Sequence, residues 1–162
     1  MNIMKQFFFF LLAGALFAGC QSEPQSDYKE LDLLPYGLPV TIMAPDSTNV
    51  KSSSMGDGLM QDITVRGAEG YDLQIIASTT NSSDIAKAKA EALASVKGNR
   101  YFSKIVQEAE DGFIYEMQID SNTLNYGFRH ILLQGDKEII FSQGMASAMS
   151  QEEATRLYEA VK

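Results

Sequence analysis

From residue 40 onward, two periods of apolar residues share the chain. Val40-Thr41-Ile42-Met43 is short and β-branched and is stopped by Ala44-Pro45-Asp46, which predicts a strand. Ile63 and Val65 alternate with polar neighbours over 62–66, and Tyr71, Leu73 and Ile75 do so over 71–75. Gly67-Ala68-Glu69-Gly70 lies between them, so the pair predicts a hairpin. Ile85, Ala88, Ala92, Leu93 and Val96 then recur at three- and four-residue spacing, the stripe of a helix. Asn81-Ser82-Ser83 supply capping residues, Gly98 supplies a stop, and Lys87 and Glu91 form a solvent-side pair.

Alternation resumes after the helix. Tyr101–Gln107 predicts a strand, and Glu110-Asp111-Gly112 predicts a tight turn with a glycine suited to positive φ. Phe113, Tyr115, Met117 and Ile119 point one way, while Glu116, Gln118 and Asp120 point the other. Tyr126–Gln134 and Glu138–Gln143 are two further strands joined at Gly135-Asp136-Lys137. Ser150 and Glu153 make a capping box before a stripe of Ala154, Leu157, Tyr158 and Val161. Sequential hairpins imply an antiparallel sheet, and two amphipathic helices need a sheet face to cover. The fold class is therefore α+β: an antiparallel β-sheet with two amphipathic helices packed on it.

The stretch Tyr126–Lys162 (strand, Gly-Asp turn, strand ending at Gly144, capped helix) resembles, at the level of pattern, the closing part of the PsbP-like fold. That resemblance implies an α/β/α sandwich used as a binding or assembly module. Members of that fold serve unrelated roles, so it does not name a function.

One apolar run obeys neither period. Phe7–Phe17 is uniformly apolar and follows a short segment containing Lys5. From Phe7 to Cys20 the chain is well short of the roughly 20 residues that a spanning helix needs. Four consecutive Phe would also have to face every side of a core helix. The layout is that of a signal peptide, covering residues 1–19.

Phe17-Ala18-Gly19-Cys20 resembles the lipobox of bacterial lipoproteins, with Phe17 standing where Leu is usual. The resemblance implies diacylglycerol on the Cys20 thiol, cleavage before Cys20 and acylation of the new amino group with a fatty acid such as palmitate. Ordinary secretion, cut near Ala15 or Ala18 with a free thiol, is the other reading. Two or three acyl chains make an anchor effectively permanent. The expected location is the extracytoplasmic side of a cell membrane in the bacterial envelope. Gln21 is not the Asp that favours inner-membrane retention in enteric bacteria, which leans toward the outer membrane.

Residues 20–35 read as the lipidated Cys followed by a flexible acidic tether, with Glu23, Asp27, Glu30 and Asp32 against Lys29. Residues 36–162 read as a single globular domain. The whole chain has 162 residues and a net charge of −8. That acidity argues against a nucleic-acid partner. One Cys and one His exclude an intrachain disulfide framework, Cys-cluster metal sites and multi-His metal centres.

Candidate chemistry is sparse. His130 follows Arg129 and shares a strand face with Phe128 and Leu132, a position more typical of a packed imidazole than of a general base. Met55, Met60, Met145 and Met149 are soft thioethers that invite copper(I) handling, although Met also fills cores. Ser52–Gly58 reads as a Gly- and Ser-rich loop and a contact candidate, and its Gly56 and Gly58 lack the context of a phosphate loop. Glu108, Glu110 and Asp111 read as a solvated turn, and Glu152 and Glu153 as acids suited to a helix N-terminus.

No catalytic, cofactor-binding or metal site is assigned, and the one modified residue is Cys20. The expected role is a non-catalytic binding or assembly module, tied to the membrane through Cys20 and contacting an envelope protein. The alternatives are a hydrolase-type envelope enzyme with a site near His130 and a methionine-based copper(I) handling protein. A polar pocket joining His130 and Arg129 would favour the enzyme, and a closed, apolar-packed His130 the module.

Overall fold

The computed structural model describes residues 28–145 and 148–162. Cys20, the signal segment and the first part of the expected tether lie outside the described residues. In chain order the elements are β1 (Lys29–Asp32), a 3-10 turn (Leu34–Tyr36), β2 (Thr41–Ala44), β3 (Asn49–Met55), β4 (Met60–Arg66) and β5 (Asp72–Thr79). Next come α1 (Ile85–Lys97), β6 (Phe102–Glu108), β7 (Gly112–Gln118), β8 (Leu124–Gln134), β9 (Lys137–Gln143) and α2 (Gln151–Ala160).

The main sheet has seven strands in the order β3-β4-β5-β9-β8-β7-β6, with every neighbouring pair antiparallel. Two meanders, β3-β4-β5 and β6-β7-β8-β9, meet where β9 pairs with β5, and α1 connects them. The α+β class is therefore what the chain adopts. Strand alternation sends Ile63, Val65, Leu73, Ile75, Phe141, Phe128 and Ile114 to one face. There they form a buried core with Ala154, Leu157 and Tyr158 of α2. Phe113 and Tyr115 point to the other face and pack with Val96 of α1, flanked by Ala92 and Leu93. The helices thus lie on opposite sides of the sheet. Burying each large apolar side chain contributes roughly 1.5–3 kcal/mol, so the α2 face carries most of the stabilisation.

Four expectations are corrected. The first concerns the tether. Residues 29–32 form β1, which pairs in register with β2 (Leu31 opposite Ile42). Leu33 is fully buried in the main core. The fold therefore takes in residues 29–35, where acidic neighbours mask the apolar Leu31 and Leu33. The second concerns Ser52–Met55, which continues β3 in an unbroken pairing with β4, so that only the tip at 56–59 turns.

The third concerns α1. It is capped by Asp84, whose Oδ1 accepts the Lys87 N–H at 3.0 Å, rather than by Asn81-Ser82-Ser83. The fourth concerns Gly112, which has no positive φ and is the first residue of β7. The capping box of α2 forms as expected: Ser150 Oγ accepts the Glu153 N–H at 3.2 Å, and Glu153 Oε2 accepts the Ser150 N–H at 2.7 Å.

Candidate functional site

His130 sits on β8 on the same face as Phe128, as the alternation requires, and is only 6% exposed. Its ring lies 5.4 Å from the Phe141 ring and 6.1 Å from the Tyr158 ring, which meets it edge-on. Nδ1 is 3.7 Å from Asp111 Oδ2, and among the described residues neither it nor the Tyr158 hydroxyl has a hydrogen-bond partner of normal geometry. Burial lowers the His130 pKa below its ordinary value; the Asp111 carboxylate opposes that shift and Lys162 adds to it. Burial pushes the Tyr158 hydroxyl up to about 12, with the charge of Asp111 adding to the rise. The imidazole is thus a neutral ring in an aromatic enclosure.

Arg129 projects to the opposite face. Its Nη1 donates to Phe128 O at 2.8 Å and to Gln143 Oε1 at 3.3 Å, and its guanidinium lies 5.7 Å from the Tyr115 ring. Gln143 Nε2 in turn donates to the Tyr115 hydroxyl at 3.0 Å. The strand period places these two neighbours on different sides of the sheet, so His130 and Arg129 share no pocket.

The methionines are also separated. Met55 and Met60 face each other across the β3–β4 hairpin. Met60 pairs with Ser78 at one end of β5, whereas Gln143, just before Met145, pairs with Leu73 near the other end. Five residue steps of strand separate the two places, roughly 17 Å. Met149 is 5% exposed and packs in the core, while Met145 is 88% exposed. Among the described residues no group of three or more His, Cys, Asp or Glu side chains converges to hold a metal ion.

One buried carboxylate was read from the sequence as pointing away from the apolar face. Glu116 of β7 is 6% exposed. It accepts from Ser103 Oγ at 2.8 Å and from the Tyr126 hydroxyl at 2.9 Å, and Lys104 Nζ lies 3.4 Å away. The Ser103 hydrogen bond leads in lowering its pKa, against burial, and Tyr126 and Lys104 lower it further. All these donors come from the neighbouring strands β6 and β8, so the carboxylate ties three strands together. No spacing in the sequence signals this, because the partners meet only through the sheet register.

The two edges of the sheet differ. The β6 edge is interrupted by register shifts between Phe102 and Lys104 and between Ile105 and Gln107. The β3 edge pairs with β4 without interruption from Asn49 to Met55. All of β3 except Val50 is exposed. Bulges twist an edge away from further pairing, and an unbroken exposed strand offers its outward N–H and C=O groups as a template.

The β3–β4 hairpin is braced in its tip-proximal half, where Ser52 Oγ and Gln61 Nε2 both donate to Tyr36 O. Its tip passes through Gly56, Asp57 and Gly58 at φ 61, 55 and 88 and leaves Met55 and Leu59 49% and 63% exposed. The contact candidate read as a loop is thus a braced, extended edge with an apolar tip. No protein-family model, curated protein or solved structure matches the chain.

Proposed function

We propose that this protein is a membrane-anchored lipoprotein of the bacterial envelope, lipidated at Cys20. In this reading its domain is a non-catalytic binding or assembly module. The observation that carries the reading is the open, bulge-free β3 edge with its exposed Met55 and Leu59 tip. Such an edge binds by adding a strand: main-chain hydrogen bonds supply affinity, and alternate side chains supply selectivity. The enclosure of His130 and the opposed direction of Arg129 favour a module over a hydrolase. The PsbP-like resemblance of Tyr126–Lys162 points to the same class of role. The lipobox resemblance of Phe17-Ala18-Gly19-Cys20 supplies the anchor, with the outer membrane the favoured location because Gln21 follows Cys20.

Two experiments test the halves of this reading. Radioactive palmitate should label the wild type and not Cys20→Ser, and a Cys20→Ser chain that stays lipid-labelled and membrane-bound removes the anchor. A photo-crosslinking residue placed at Ser54, on the β3 edge, should give a discrete adduct in intact membranes. The same residue at Ser103, on the β6 edge, should not. Equal adducts from both positions, or none from Ser54, remove the edge as the contact surface.

A further inference from the structure

We infer that the outer end of the β3–β4 ladder is a binding site for a singly charged phosphate ester, formed by Lys51 and Arg66 with Asn49 and Thr64. These four residues line a groove of about 340 Å3. The register explains how they meet: Asn49 is opposite Arg66 and Lys51 is opposite Thr64, so all four side chains leave the same face. The two cations stand on one diagonal and the two neutral donors on the other. Diagonal neighbours on a sheet face are about 7–8 Å apart, within reach of long side chains converging on one anion. This is the α1 side of the sheet, but α1 packs against Phe113 and Tyr115 near the other edge, and Asn49, Lys51 and Arg66 are exposed.

The charges match such a ligand. Asp72 Oδ1 holds Arg66 Nε at 3.1 Å, which orients the guanidinium; its terminal nitrogens carry no hydrogen bond among the described residues. Lys51 makes no ion pair among the described residues. Asp62 lies on the same face, diagonal to Lys51, and accepts from Gln74 Nε2 at 3.3 Å, so the Lys51 ammonium and the terminal nitrogens of Arg66 are what attract a monoanion. Arg presents paired N–H donors to phosphate oxygens, Lys adds a point charge, and the Asn49 amide and Thr64 hydroxyl can donate as well.

The position suggests a source. Arg66 begins the turn to Tyr71, whose ring meets that of Tyr28 at 5.3 Å. Tyr28 follows Cys20 by eight residues, a reach of roughly 28 Å at most. If Cys20 holds the membrane, which is the anchor reading above, headgroups of the same bilayer are one source of such an ester. Free phosphate would present the same chemistry.

The test uses the full-length protein in detergent micelles, with backbone amide and Arg66 Nε–H shifts followed by NMR. Inorganic phosphate is titrated against chloride at equal ionic strength. A second arm replaces the micelles with bicelles of phosphatidylcholine, with or without phosphatidylglycerol. Shifts confined to 49–51 and 64–66 are expected, saturating with phosphate and not with chloride. Lys51→Gln, an exposed edge substitution that breaks no ion pair, should weaken the response about tenfold. Shifts with phosphatidylglycerol as well assign the headgroup as the source, and shifts with phosphate alone assign a soluble ligand. No saturable shift in either arm, an equal response to chloride, or an unchanged response in Lys51→Gln overturns the site. The micelle arm does not depend on the anchor, so its outcome holds whether or not Cys20 is lipidated.

Discussion

Gly112 of β7 lies directly beneath Tyr158 of α2. A Cβ at position 112 would come within 2.9 Å of both Oη and Cε2 of Tyr158 and would collide with the Arg129 carbonyl oxygen. Glycine is needed here for space and not for a left-handed φ. The contact also places Tyr158 against His130, whose Cα is the register partner of Gly112. One missing methyl group therefore sets how closely α2 approaches the sheet.

Gly112→Ala should destabilise the fold by about 1–3 kcal/mol through overpacking against backbone and a buried ring. Urea unfolding measures it. Gly98→Ala is the control: the nearest atom a Cβ there would meet is the Ala94 carbonyl oxygen of the preceding helical turn at 3.4 Å and its φ is −71, so a change within about 0.5 kcal/mol is expected. Equal effects at the two positions would remove the spatial argument.

Leu33→Ala tests where the folded domain begins. The side chain is fully buried in the main core, and the Leu33 N–H and C=O bond to Val40 and to Tyr36 and Leu38. A loss of about 2–5 kcal/mol is expected from the cavity. A flexible tether at this position would show no change in the urea midpoint.

The long-range architecture was legible where periodicity was strong. The clean alternation of Ile63 with Val65 and of Leu73 with Ile75, and the α2 stripe behind its capping box, all recur in the structure at full burial. The misreadings fell where composition and context disagreed. Ser52-Ser53-Ser54 has loop composition, yet pairing with β4 holds it extended. Leu33 stands among acids and exposed residues, and only a core brought from elsewhere in the chain reveals its role. The phosphate-ester groove was illegible for a related reason. Lys51 and Arg66 are fifteen positions apart in sequence and become neighbours only through the register of one hairpin.

Ser150→Ala should lower stability by about 1 kcal/mol, the usual effect of removing an N-cap side chain. It should also change the acid response. Hydrogen bonds from Ser150, first backbone and then side chain, hold the Glu153 carboxyl below its ordinary value of 4.5. A depressed folded-state pKa adds stability that is fully present above the unfolded value. That stability is lost as pH falls through the folded-state value. Unfolding series on either side of pH 4.5 should show a shallower loss on acidification in Ser150→Ala than in the wild type. An identical slope would mean that the Ser150 side chain does not help to hold the carboxylate, the Ser150 backbone N–H being kept in the variant.

His130 governs a separate, higher pH window. Burial lowers its pKa below the ordinary 6.5, so the unfolded chain takes up a proton before the native state does. Its contribution is fully present above pH 6.5 and is lost as pH falls from there through the folded-state value. The groups facing the ring are Asp111 from the β6–β7 turn, Lys162 and Tyr158 from the C-terminal helix region, and Phe141 from β9. The first two oppose each other: Asp111 draws the His130 pKa up and Lys162 pushes it down. An NMR titration of the imidazole Cε1–H should therefore give a midpoint below 6.5. The midpoint should be lower still in Asp111→Asn and higher in Lys162→Gln. His130→Phe should flatten the dependence of stability on pH just below 6.5 while leaving the acid limb near 4.5 in place. A midpoint at or above 6.5, or an unchanged slope in His130→Phe, would show that the imidazole is not held neutral by its aromatic enclosure.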